Sequence, residues 1–247
     1  MKILSSLLAT LVLASASSLA LAQAEEKNWS GMVGATALYK PQYIGDDDEQ
    51  WTGAPVIVVD YKDTFYWNLD RGGWWFWKPN DAWRTGAVLY YRQQAWDDDN
   101  GHLNDVKPLP AGFDDPDSEI EPGVNVRYQM DRFKAKAQVT SGEDINMLVE
   151  LKYALVRNEQ FYVTANLGIE HLGEDEVKYQ WYGDQGSFNN DSATNVSLGV
   201  QAIQTLNPSL KLLYGIKATA LDDEIDDSPV GQDDMYTVVN VGAAYSF

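Results

Sequence analysis

The last thirteen residues of the chain alternate. Met235, Thr237, Val239, Val241, Ala243, Tyr245 and Phe247 share one parity, and Tyr236, Val238, Asn240, Gly242, Ala244 and Ser246 share the other. One face is apolar and ends on aromatics; the other is small or polar. A period of two with one wet face predicts a β-strand. The pattern recurs upstream. Leu210, Leu212, Tyr214, Ile216, Ala218 and Ala220 alternate with Lys211, Gly215, Lys217 and Thr219. Val196 to Ala202, Phe161 to Ile169, Phe133 to Val139 and Val124 to Tyr128 repeat it.

One alternating strand fits any half-buried sheet. At least six, running nine to thirteen residues, do not. Globular strands average about five or six residues, whereas a tilted membrane-spanning strand needs about 9–11. The connections agree. Short turns fall at Lys62-Asp63, Lys78 to Ala82, Met130-Asp131, Arg157 to Gln160 and Thr205 to Pro208. Longer segments, Lys40 to Gly53, Gln94 to Ser118, Leu172 to Ser192 and Asp222 to Asp234, fall between them. Outer-membrane barrels have short periplasmic turns and longer outside loops. The expected fold is therefore all-β: a transmembrane, antiparallel, up-and-down β-barrel of twelve strands with both termini in the periplasm. If Thr64 to Lys78, where two short strands flank Asp70-Arg71-Gly72-Gly73, is one irregular element, the number is ten.

Mean hydropathy, at -0.36, does not oppose this. Strands that alternate lipid-facing and lumen-facing residues average out to a polar chain. Nine tryptophans and fourteen tyrosines suit aromatic girdles at the two interfaces. At the N-terminus, Lys2, the apolar run Ile3 to Leu13 and the box Ala20-Leu21-Ala22 have the layout of a secretory signal peptide. Residues 1–22 are expected to be removed, leaving a barrel domain over 23–247 in the outer membrane of a Gram-negative cell.

Charge then separates the two ends of the barrel. The four long segments hold 23 acidic residues and three basic ones, a net charge of -20; the rest of the mature chain holds 14 of each. Such a surface repels nucleic acid. Carboxylates on loops are calcium-type ligands, so Asp222, Asp223 and Asp226 are candidates for weak divalent-ion binding that bridges to lipopolysaccharide phosphates. The competing reading is that dense charge solvates exposed loops and prevents association, and no segment has the spacing of an ordered calcium loop.

The face expected to line the lumen carries both signs. Arg84, Arg92, Arg127, Lys134, Lys136, Lys152, Lys211 and Lys217 stand against Glu119, Glu121, Glu150 and Glu170. A narrow barrel fills its interior with paired side chains and a wider one leaves a water path; the expectation here is a filled or tightly constricted lumen. If a pore exists, its acidic mouth favours cations. Catalysis is not expected. The only histidines, His102 and His171, lack a nucleophile constellation, there is no G-x-S-x-G, and there are no cysteines. No cofactor is expected.

Leu221 to Phe247, with Asp227-Ser228-Pro229 after an acidic stretch and a closing strand ending on Tyr245 and Phe247, resembles the C-terminal signature of the MipA/OmpV family of outer-membrane proteins. Gly34 to Asp46, with Pro41, Tyr43 and Gly45, is similar to that family's first strand and P-x-Y-x-G loop. Asp63 to Asp117 departs from it. The resemblance implies a non-enzymatic envelope protein. One class of members is a scaffold joining a lytic murein transglycosylase to a bifunctional penicillin-binding protein; others are osmotically or antibiotic-responsive proteins of uncertain transport function, or adhesins. The terminal aromatic also resembles the signal read by the barrel-assembly machinery, so Phe247 is expected to matter for insertion.

Overall fold

The computed structural model describes residues 28–44, 49–95, 116–182, 191–231 and 233–247. The signal-peptide residues, Gly45, Trp96 and His102 lie outside these.

Twelve antiparallel strands close into a barrel. They are β1 (Trp29–Pro41), β2 (Glu49–Tyr61), β3 (Phe65–Asn68), β4 (Arg71–Trp77), β5 (Trp83–Arg92), β6 (Glu119–Met130), β7 (Phe133–Ser141), β8 (Ile145–Arg157), β9 (Phe161–Leu172), β10 (Ala193–Thr205), β11 (Leu210–Ala220) and β12 (Met235–Ser246). Each strand pairs with its sequence neighbours, and β1 pairs with β12 from Met32↔Ser246 to Tyr39↔Val239. The seam is finished by Phe247, which exchanges both backbone hydrogen bonds with Gly31 (3.1 and 3.2 Å). Closure leaves no sheet edge for lipid to face, the condition a sheet must meet in a bilayer.

The alternation read from the sequence is the inside–outside alternation of the wall. Val241 and Ala243 are exposed on β12, while Asn240 lines the lumen and Ala244 is buried. Outward-facing aromatics pair across strands near both ends: Trp29 on Tyr61 (4.5 Å between ring centroids) and Trp83 on Tyr128 (4.7 Å) at one, Tyr39 on Trp51 (5.3 Å) at the other. Tyr43, Trp75, Trp181 and Tyr182 are not girdle residues; they are buried.

Three boundaries differ from those read in the sequence. The ladder between β1 and β2 extends to Pro41↔Glu49, so the first long connection is residues 42–48, shorter than Lys40 to Gly53. The β6–β7 turn is Asp131-Arg132, because Met130 pairs with Phe133. Arg71, Gly72 and Gly73 belong to β4 and pair with Tyr90, Leu89 and Val88; only Leu69 and Asp70 turn the hairpin. The glycines are there for close approach. A Cβ on Gly72 would lie 2.3 Å from the Trp67 ring, and one on Gly73 would lie 2.5 Å from the Tyr66 hydroxyl. By contrast the β2–β3 turn is tight as expected. Lys62 and Asp63 both have positive φ (50° and 55°), and Thr64 donates to the Tyr61 carbonyl at 2.9 Å. Two left-handed residues match the twist of the flanking strands.

The β3–β4 hairpin is short. Its uppermost pair with β2 is Val58↔Asn68, so β2 runs on above it to Glu49. Asp70 and Arg71 therefore sit at mid-height, where Arg71 reaches Glu150 in the middle of β8 (3.8 Å).

A capped mouth and a buried charge cluster as the candidate functional site

At the long-loop end of the barrel the connections pack on one another. Residues from four connections pack into one apolar cluster: Tyr43 after β1, Ala95 after β5, Leu172, Val177, Trp181 and Tyr182 around the β9–β10 connection, and Ile225 and Val230 after β11. Leu172, Val177, Ile225 and Val230 are fully buried. The loops expected to be solvated acid are thus partly a small hydrophobic core. The signal was available: Val177, Trp181, Tyr182, Ile225 and Val230 interrupt the acidic runs, and burying such side chains is favourable by about 1.5–3 kcal/mol each.

Two short helices build this cap. Helix α1 (Glu174–Val177) carries Glu174, Asp175 and Glu176 in its first turn and continues into a π-helical turn, Lys178–Tyr182. Helix α2 (Asp223–Asp226) is capped by Asp222, whose carboxylate accepts from the Glu224 amide (3.2 Å). Acidic residues at a helix start complement its dipole and its unpaired N–H groups. Hydrogen bonds join the pieces. Ala95 donates to Gln180 Oε1 (3.1 Å), Ile44 to the Ala95 carbonyl (3.4 Å), the Tyr182 hydroxyl to the Glu224 carbonyl (2.8 Å) and Thr194 to Asp222 Oδ2 (2.8 Å). Burial, reinforced by Glu224 and Asp227, pushes the Tyr182 hydroxyl above its ordinary pKa, so it stays a donor at neutral pH.

The two family-like motifs meet here. Pro41 ends β1 and Tyr43 enters the cap core, while Asp227 closes α2, Ser228 is fully buried and Pro229 precedes the buried Val230. Tyr245 and Phe247 lie at the opposite end, that of the short turns, on the seam. Asp222 does not behave as a free metal ligand, since both its oxygens already accept backbone amides. Asp222, Asp223 and Asp226 are not brought together as a metal-ligating group among the described residues; Glu119, Glu121 and Glu176 are, with one carboxylate oxygen from each within 4.8 Å of the others.

Burial pushes the Asp226 carboxyl up, and Asp227, Asp234, Asp223 and Asp233 add to the rise. A carboxyl with a raised folded pKa contributes stability below its unfolded pKa and loses it as pH rises through the folded one. Amide exchange at Ile225 and Asp226, corrected for the intrinsic rate, is therefore expected to be slower at pH 4 than at pH 7. Equal or faster corrected exchange at pH 4 would contradict this.

Beneath the cap lies the charge cluster that Glu119, Glu121 and Glu176 share with Arg92. The guanidinium of Arg92 pairs with Glu121, with Glu176 (3.3 Å) and with Glu170 (3.4 Å). Glu121 and Glu176 are 0% exposed and the Arg92 side chain is 10% exposed. Asn146 donates to Glu176 (3.0 Å) and accepts from the Gly173 amide (3.2 Å). Glu119 and Glu176 approach over Gly142, where a Cβ would lie 2.6 and 2.8 Å from their oxygens. Glu176 and Asn146 were not singled out in the sequence. Glu176 was one loop acid among many, and only the fold of α1 carries it inward.

The remaining lumen candidates fall on the inward face. Arg84 pairs with Asp63, Lys136 with Glu150 (3.7 Å), Arg127 lies over the Trp75 ring (5.3 Å), Lys134 over Tyr162 (6.0 Å) and Lys217 over Tyr236 (6.0 Å). Lys152 lines a cavity beside Glu150. Lys211 shares the parity of Lys217 on β11. His171 contacts Thr194 (3.0 Å). Arg71 and Asp70, read as turn residues, belong to the same lumen network.

In comparison with solved structures the chain is similar to the translocator domain of the autotransporter NalP from Neisseria meningitidis (9% identity, 98% of this chain and 96% of that one, TM-score 0.45). It is also similar to the outer-membrane channel DcaP of Acinetobacter baumannii (10%, 89% and 96%, 0.41) and to the NanC porin (10%, 86% and 98%, 0.41). Comparison with curated proteins finds no match. Residues 33–247 match the family described as "MltA-interacting protein MipA". With nearly the whole barrel inside that match, the chain belongs to the MipA family of outer-membrane β-barrels.

Proposed function

We propose that this barrel is a closed, non-enzymatic envelope scaffold that works at its periplasmic face, linked to the peptidoglycan-remodelling machinery. The observation that carries the reading is the cap. A mouth closed by a buried apolar cluster, above a lumen crossed by the Arg92 network, suits a structural barrel better than an open channel. The family description names interaction with MltA, a lytic transglycosylase; the sequence resemblance adds a bifunctional penicillin-binding protein as the second candidate partner. The docking surface is the ring of short turns, 62–64, 78–82, 131–132, 158–160 and 206–209. A specific interface usually buries about 800 Å² per partner, so several turns must act together.

Photo-crosslinking residues placed at Asn158, Glu159 and Asn207 in the intact envelope test this. Recovery of a murein transglycosylase or synthase on these positions is expected, and not from equivalent substitutions on the cap at Asp223. Recovery of no murein enzyme from any turn would remove the scaffold reading.

Truncating the cap has a separate consequence. Ile225→Ala removes most of a fully buried side chain and is expected to cost the cap about 2–4 kcal/mol. Limited proteolysis of the refolded barrel should then cut the β9–β10 and β11–β12 connections at least tenfold faster. Unchanged cleavage would show that the apolar cluster does not hold the cap.

A further inference from the structure

Below the Arg92 cluster, in the periplasmic half of the barrel, the lumen contains a cavity of about 660 Å³. Five basic residues line it (Arg71, Arg127, Lys134, Lys136 and Lys152) against three acidic ones (Asp60, Asp70 and Glu150). Arg71 is taken by Asp70 (2.6 Å) and Glu150, and Lys136 by Glu150. Arg127, Lys134 and Lys152 have no ion-pair partner among the described residues.

Register makes this arrangement costly. Lys134 and Lys152 are direct cross-strand neighbours, and Arg127 stands between Arg84 on β5 and Lys136 on β7. Like charges directly opposite on a sheet face destabilise it. Two of them are nonetheless held in place, Arg127 against Trp75 and Lys134 against Tyr162. Adjacent strands are about 4.8 Å apart, so Lys134 and Lys152 stand side by side, with Arg127 one diagonal step away on β6, and a molecule with two anionic groups can bridge them. The cavity volume lies within the usual range for small-molecule sites, about 300–1,000 Å³.

We propose that this cavity is a binding site for a small solute carrying two or more phosphate or carboxylate groups, entering from the periplasm. The direction of entry rests on the closed outer mouth; the site itself does not. An acidic cap over a basic chamber also reverses the cation preference that loop charge alone suggests.

Isothermal titration calorimetry on the refolded mature barrel in neutral detergent tests this, with inorganic pyrophosphate and citrate as probes in 150 mM KCl. Saturable 1:1 binding of at least one probe is expected. Pyrophosphate alone assigns phosphate chemistry and citrate alone assigns carboxylate chemistry. Lys134→Gln/Lys152→Gln is expected to weaken binding at least tenfold, and Lys211→Gln, a lumen cation outside the cavity, to leave it unchanged. Circular dichroism and gel mobility report that each variant has folded. Heats that do not saturate or that vanish at 150 mM salt, no binding of either probe, or equal affinity in the double variant would overturn the proposal. A barrel that conducts ions yet still binds the probe would overturn the closed-scaffold reading and leave this site standing.

Discussion

Arg92→Met is expected to destabilise the barrel more than any other single lumen substitution, by about 3–5 kcal/mol, the usual cost of breaking a buried ion pair by removing one partner. Arg92 is the one cation within ion-pair distance of Glu121, Glu170 and Glu176 among the described residues, and Glu119 stands beside them. Methionine fills a similar volume but leaves the neighbouring carboxylates uncompensated. Their repulsion acts on the junction between wall and cap, because Glu121 is on β6 and Glu176 is on α1. Urea unfolding in lipid vesicles measures the loss. A deficit under about 1 kcal/mol, within the range of an exposed ion pair, would show that the cluster does not bear on stability in this way. Arg92→Met with Glu121→Gln and Glu176→Gln should recover much of the loss, since the two fully buried carboxylates are then gone and only Glu119 and the partly exposed Glu170 remain.

Deletion of Phe247 is expected to lower outer-membrane levels of the protein several-fold while leaving a refolded sample close to its full stability. The residue stands at the far end of the seam from the cap, and its two backbone bonds to Gly31 are the last of the β1–β12 ladder. Two hydrogen bonds at a strand end contribute little, about 0.5–1.5 kcal/mol each net of the bonds water makes in their place. The larger effect is expected on assembly, for which the terminal aromatic is the proposed recognition signal. Outer-membrane fractions of cells expressing the deletion, set beside vesicle unfolding of the purified protein, separate the two. Normal outer-membrane levels would overturn the assignment.

Most of the wall was legible in the sequence because one physical rule governs it. A strand between lipid and lumen must alternate, and β6, β7 and β9 through β12 do so for nine to thirteen residues each, while β8 breaks the period at a bulge between Ala154 and Val156. The inward positions of Arg84, Arg127, Lys134, Lys136, Lys152 and Lys217 follow from parity alone. Errors arose where a local signal had a second physical meaning. Gly72 and Gly73 look like a turn, but they are strand residues that make room for Trp67 and Tyr66. The acidic loops look like solvated tethers, but Ile225, Val230, Val177 and Trp181 within them are spaced to meet one another only after the barrel has brought four connections to one rim. That contact is between segments as far apart as Tyr43 and Val230, and no period along the chain records it. Glu176 shows the same limit. Its charge was visible, but its burial beside Arg92 depends on the fold of α1 over the lumen.

The central claim, that the mouth is closed, is tested most directly by planar-bilayer recording of the refolded mature barrel in 1 M KCl. The capped structure predicts no conductance steps from the native protein and steps from one in which Trp181→Ala and Ile225→Ser loosen the cap. Steady, single-sized steps from the native protein would contradict it.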